Sequence, residues 1–304
     1  MPTALVIRMP RVRVAVVDVG ANTLRLLVAE GSASAVVPVH EERRQTSLGE
    51  DVERFGSLTA EKIAGSAEAA RKEVRRARKL GAARIAIVVT SPWRSAGNGG
   101  ELIAALERAT EHPVQALSAE EEAELAYVGA LACTTVDQYP VAVCDVGGGS
   151  TQLAIGSGPR PAWLRSIGLG SLLLTERCLH SDPPTLDEVE AARRETEAAF
   201  NGLAPPLPAA ALATGGTARG LRRLGLERLD AGGLACAIAE LSEVPAAARV
   251  RRAKVEIERA RTLPAGAIIL ARLQALLHLP LGIAEGGIRE GVCVSLLEAE
   301  AATA

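Results

Sequence analysis

Aromatic side chains are nearly missing: two Trp, two Tyr and two Phe among 304 residues. A core without them must be built from Ala, Leu, Val and Ile, which suits α/β layers whose parallel strands favour Val and Ile runs. Cysteine is scarce and scattered. Cys133, Cys144, Cys178, Cys236 and Cys293 are odd in number and form no C-x-x-C pair. That excludes a disulfide framework and a structural zinc site, and it reads as small buried hydrophobes in a reducing compartment. The histidines (His40, His112, His180, His278) lack ligand spacing; His180, beside Asp182, reads as a loop or helix-end residue. There is no excess of one charge. The net charge is -2, so nothing global attracts nucleic acid. No stretch qualifies as a membrane span: the longest apolar region, Gly266 to Ala284, is interrupted by Arg272, Gln274 and His278. Arg8, Arg11 and Arg13 break any signal-peptide core. The expected setting is the cytoplasm. Because Met9 precedes the first strand, residues 1–8 are expected to be an untranslated or disordered extension.

What is present is a chain long enough for about two domains, each with its own core. Three β-branched runs open it, Arg13 to Val19, Thr23 to Ala29 and Ala35 to Val39, and predict a meander. Ile63, Ala67, Ala70, Val74, Ala77 and Leu80 recur at helical steps before Gly81, predicting a helix over Ala60 to Leu80. Its other face, rich in Arg and Lys from Arg71 to Lys79, reads as solvated. Strands are expected at Arg84 to Thr90, Val141 to Val146, Thr151 to Ile155 and Ala209 to Thr214. Helices are expected at Gly100 to Ala109, from a Ser118/Glu121 capping box to Ala132, and from a Thr185/Glu188 box to about Phe200. A further helix starts at Thr217, and from Leu241 the chain reads as mostly helical with a break from Pro280 to Gly287.

The sequence also echoes itself. Asp18-Val19-Gly20-Ala21-Asn22-Thr23 returns in form as Asp145-Val146-Gly147-Gly148-Gly149-Ser150-Thr151, each copy between two strands. Such a repeat suggests duplicated domains facing each other. An Asp at a strand end sits at the carboxyl edge of a sheet, where ligands of α/β folds bind. The glycines bring backbone N–H groups close to phosphate oxygens, and the hydroxyls add donors. Two opposed Asp residues can hold Mg²⁺, usually through its waters. No Gly-Lys-Ser/Thr follows, so this is not a Walker loop.

The two turns resemble the phosphate motifs of the acetate and sugar kinase, Hsp70 and actin superfamily. The fuller pattern resembles the Ppx/GppA phosphatase branch. DVGANTLRLLV from Asp18 and DVGGGSTQL from Asp145 are similar to its first two motifs, and Thr90-Ser91-Pro92-Trp93-Arg94 to its T-S-x-x-R segment. LSAEEEAELAY from Leu117 resembles its S-G-x-E-E-A helix, Gly215-Gly216-Thr217 its third glycine turn, and Gly287 to Gly291 its L-R-x-G helix. TERCLHSDPPT from Thr175 looks like actinobacterial-type members.

The resemblance implies two actin-like (ribonuclease H-like) α/β domains, residues 11–125 and 126–304, with a ligand cleft between them and the last helix returning to the first. It implies release of terminal phosphate from inorganic polyphosphate or guanosine pentaphosphate, with Mg²⁺ at Asp18 and Asp145. Phosphate would lie against Gly20, Asn22, Thr23, Gly147, Gly148, Gly149, Ser150, Thr151, Gly215, Gly216 and Thr217. Arg94 would reach a phosphate and Glu122 would be the base. A homodimer is the family-based expectation. The chain ends where longer relatives carry helical domains, so a very long polymer is expected to be held poorly. Gln152 stands where the family motif has Glu, and Arg261 where it has Asp. An amide keeps hydrogen bonds but cannot accept a proton, so turnover is expected to be low and Gln152→Glu to raise it, unless the surroundings have adapted. A sensor without catalysis is the alternative, and a small-molecule kinase the remoter one.

Overall fold

The computed structural model describes residues 12–32 and 35–302, and the extension expected at residues 1–8 lies outside them. The first lobe carries strands β1 (Arg13–Val19), β2 (Thr23–Ser32), β3 (Ala35–Gln45), β4 (Arg84–Val89) and β5 (Val114–Ala116). Its helices are α1 (Leu48–Phe55), α2 (Ala60–Lys79), α3 (Ser91–Ser95) and α4 (Gly99–Thr110), followed by α5 (Ala119–Cys133). The second lobe carries β6 (Val141–Val146), β7 (Thr151–Gly156), β8 (Trp163–Ile167), β9 (Ala210–Thr214), β10 (Arg228–Leu229) and β11 (Leu281–Ile283). Its helices are α6 (Ser171–Cys178), α7 (Leu186–Ala199), α8 (Gly215–Arg223), α9 (Ala231–Glu243), α10 (Ala246–Ala253) and α11 (Ile257–Leu277), and α12 (Ile288–Ala301) is the last described helix.

The sheets run β3-β2-β1-β4-β5 and β10-β11-β9-β6-β7-β8. In each, the first strand of the repeat pairs antiparallel with the next and parallel with a later one: β1 with β2 and β4, β6 with β7 and β9. The sequence echo is therefore a repeated topology.

Side chains alternate along a strand, and here both faces are buried. Ala15, Val17, Leu24, Leu26 and Ile87 pack on Ile63, Ala70, Val74 and Ala77 of α2. Val14, Val16, Leu27, Ala29 and Val88 pack on Val292, Cys293 and Leu297 of α12. The last helix thus covers the first lobe's sheet. On the second sheet Val141, Val143 and Ala154 meet Ala123, Tyr127 and Ala130 of α5, and the opposite face meets α11.

Helices α5 and α12 cross backbone to backbone. A Cβ at Gly129 would lie 1.9 Å from the carbonyl oxygen of Gly287, and one at Gly291 would lie 2.1 Å from that of Leu125. Gly129→Ala is expected to cost about 1–3 kcal/mol or more through overpacking, read as a lower denaturant midpoint at unchanged m value.

Several expectations are corrected. Strand β3 runs on to Gln45, because an edge strand tolerates Pro38 and charges, and a bulge at Val28/Ala29 absorbs the irregularity. No sequence signal marks α1, α3, β5, β8, α6, β10 or the part of α9 before Leu241, and β11 lies inside the expected break. Helix α11 does meet the length and composition of a membrane span, but 67% of that window is buried inside the protein. Cys236 is exposed, not buried. The Arg/Lys face of α2 is largely exposed, and Arg71 and Lys72 pair with Glu68.

Candidate active site

The two hairpins aim their polar residues at one cavity. Alternation puts Asp18 on the α12 side of the first sheet, with Thr23 and Arg25 on the same side of β2. Asp18 and Arg25 are cross-strand partners, and the equivalent residues of the second copy, Asp145 and Gln152, are partners too. Asp18, Gly20, Asn22 and Thr23 line the cavity from one hairpin, and Asp145, Gly147, Gly148 and Ser150 from the other. Gly215 and Gly216 close it from the turn between β9 and α8. Gly215 has φ +87, and a Cβ there would stand 2.4 Å from Asp145 Oδ1; only glycine fits.

Glu122 projects into the same cavity from the first turn of α5. Its helix start is fixed by the expected capping box, in which Ser118 and Glu121 bond each other's backbone N–H, and this leaves Glu122 free for another task. Glu122 is 2% exposed. Its Oε1 accepts from Arg94 Nη1 at 2.7 Å and its Oε2 from Gln152 Nε2 at 3.0 Å. Burial pushes its carboxyl up to about 7; the Arg94 guanidinium pulls it down, and Asp18 and Asp145 add to the rise. Burial likewise pushes Asp145 up to about 6, against the pull of Arg219 and Arg25. Asp18 is raised for the same reason, and its Oδ1 is buried without a hydrogen-bond partner.

Those carboxylates fit a hard divalent cation. Among the described residues no group of three or more His, Cys, Asp or Glu side chains could hold a metal. Asp18 and Asp145 would therefore supply two oxygens, leaving the other positions to water and phosphate, which is how Mg²⁺ is usually bound.

Beside the carboxylates stand arginines that no motif marks as phosphate ligands. Arg25, Arg219, Arg259 and Arg289 line the cavity and continue into an adjoining one with Arg43, Arg223 and Lys254. Burial and the charges of Arg289, Arg219 and Arg259 hold Arg25 well below its ordinary value. Burial, Arg43 and Arg219 bring Arg259 down to about 10. At Arg289 the lowering by burial is outweighed by Glu290, Glu41 and Asp18. A signal existed for Arg25, which is two residues past Thr23 and so on the same strand face. Arg289 and Glu290 lie within the Gly287 to Gly291 motif, and Arg259 two residues before Arg261.

Four expected phosphate contacts lie elsewhere. Arg94 is absent from the central cavity and lines the neighbouring groove, because its Nη1 is taken by Glu122 and by the carbonyl of Leu117 at 2.6 Å. Gly149 lines that groove as well. The Thr151 hydroxyl donates to the Leu169 carbonyl at 2.7 Å and is fully buried. Thr217 is also fully buried, packed behind the turn against Gly266. Arg261 is exposed on α11, outside the cavity.

Residues 27–300 match the Ppx/GppA phosphatase family. The chain belongs to that family. It is 32% identical over 314 residues to Exopolyphosphatase 2 of Mycobacterium tuberculosis, covering 93% of this chain and 98% of that one. An uncharacterised protein of Streptomyces coelicolor is 30% identical over 297 residues, with 90% and 88% covered. Among solved structures, the Aquifex aeolicus Ppx/GppA family member superposes with a TM-score of 0.81 at 27% identity, over 96% of this chain and 99% of that one. An exopolyphosphatase from Cytophaga hutchinsonii shares the fold, with a TM-score of 0.83 at 20% identity over 94% and 98%. The two-sheet α/β architecture is that of Ppx/GppA proteins with two actin-like domains.

Proposed function

We propose that this chain hydrolyses the terminal phosphoanhydride bond of a polyanion, inorganic polyphosphate or guanosine pentaphosphate, in the cleft between residues 11–125 and 126–304. The observation that carries this reading is the arginine group. Arg25, Arg219 and Arg259 face the cavity, and at each of them burial and the charge of neighbouring arginines lower the pKa by more than the nearby carboxylates raise it. Such a group favours an occupant with several phosphates in a row, each accepting charge-assisted hydrogen bonds. The terminal phosphate then falls among Asn22, Thr23, Gly147, Gly148 and Ser150, beside Glu122.

Glu122 accepts a proton from the water that attacks the terminal phosphorus. As the new P–O bond forms, the bond to the bridging oxygen breaks, and the shortened chain leaves with the electron pair. A Mg²⁺ ion on Asp18 and Asp145 would neutralise charge on the phosphate oxygens. The distal arginines hold the leaving chain, and Arg94 acts through Glu122. A cytoplasmic homodimer remains part of the proposal.

The test measures orthophosphate release from polyphosphate and from guanosine pentaphosphate, with Mg²⁺ and with chelator. Release that stops with chelator is expected. Tight binding without release from either substrate would favour a sensor.

A further inference from the structure

We infer that Gln152 is a positioning residue, whose amide holds the Glu122 carboxylate in place and ties it to the phosphate-facing turn. The inference rests on the reading of Glu122 as base. Gln152 is 2% exposed, on the second strand of the second hairpin. Its Nε2 lies 3.0 Å from Glu122 Oε2, 2.8 Å from Ser150 Oγ and 3.2 Å from Ser166 Oγ. A primary amide has two N–H hydrogens. The two shortest contacts use them, one for the base and one for a serine that lines the cavity.

Glu122 is gripped at both oxygens, by a guanidinium on α3 of the first lobe and by an amide on β7 of the second. Its carboxylate plane is therefore set only when the lobes are together, and the lone pairs left over are the ones offered to water. Arg94 is steadied by the Leu117 carbonyl, so neither grip is a free side chain. Ser150, accepting from Gln152, keeps its own O–H for an oxygen in the cavity.

The site is built for a donor at 152. A carboxylate there would set acceptor against acceptor at the distance now spanned by a hydrogen bond, and two such groups cannot both stay ionised without repulsion. The neutral amide is thus a fitted part, and the expectation that Gln152→Glu raises turnover is reversed.

The experiment compares the wild-type chain with Gln152→Met, which has similar reach and no donor, and with Gln152→Glu, Glu122→Gln and the Gln152→Met/Glu122→Gln double variant. Steady-state rates are measured on sodium tripolyphosphate with Mg²⁺. Gln152→Met should lower kcat by about 10–100-fold, as misplaced catalytic groups do, while KM changes by less than about threefold. In the Glu122→Gln background the same change should have no further effect, because the group it positions is gone. Gln152→Glu, nearly isosteric and polar, should also be slower, and it carries the test alone should Gln152→Met fail to fold. Wild-type kcat in Gln152→Met, a faster Gln152→Glu, or a Gln152→Met loss undiminished beside Glu122→Gln each overturns the inference. A wild-type chain that releases no phosphate from any phosphoanhydride overturns the reading of function and this inference with it. An active wild type with unaffected Gln152 variants overturns this inference alone.

Discussion

Glu122→Gln lowers kcat by about 10²–10⁴-fold while binding of a phosphate chain survives, if the buried carboxylate is the general base. The same residue sets the pH dependence. Its carboxyl titrates near 7 because burial outweighs the Arg94 guanidinium. The base is active only when ionised, so the wild-type rate should fall about tenfold per pH unit below that value and level off above it. Stability moves the other way. The ordinary value is 4.5 and the folded value about 7, so over that window the folded chain holds a proton that the unfolded chain releases. This contribution is fully present below about 4.5 and is lost as pH rises through about 7. Glu122→Gln, with no charge to bury, should therefore melt above the wild type at pH 8 although it is nearly inactive. Full activity in this variant would return Glu122 to a role at the positive end of a helix.

Arg25→Gln should weaken tripolyphosphate binding by about 10–100-fold, the range for losing one hydrogen bond to a charged group. It should also stabilise the ligand-free chain. Both effects have one cause: at Arg25 burial and the charges of Arg289, Arg219 and Arg259 outweigh the attraction of Asp18, a cost that a bound polyanion relieves. Calorimetric titration and a melting curve on the same sample decide the matter. If affinity and melting temperature fall together, Arg25 is a packing residue, not a ligand for phosphate.

The repeated turn was legible because its chemistry is local. An Asp at a strand end, glycines and hydroxyls in fixed order, and a strand on either side can be read along the chain. The capping boxes at Ser118 and Thr185 were legible for the same reason, since four consecutive residues contain both partners. What was not legible depends on distant contacts. Whether Thr151 donates to phosphate or to the Leu169 carbonyl is decided by the chain entering α6, an element with no clear signal. Arg94 and Gln152 meet at Glu122 from elements 28 and 30 residues away from it, and no spacing rule joins them. The arginine group gathers residues from β2, α8, α11 and α12; each alone looks like a surface charge, and only the folded arrangement makes them a unit.

The covering of the first sheet by α12 bears on how the protein is made. Val14, Val16, Leu27, Ala29 and Val88 are complete before residue 90 has been translated, yet their cover includes Val292, Cys293 and Leu297. Domains usually form in the order of synthesis, but here the half that emerges first must wait with one hydrophobic face open for roughly two hundred codons. The nascent chain is then a natural client for a chaperone that shields apolar surface. A message truncated before codon 288 should yield an aggregating product even though the whole first sheet has been encoded.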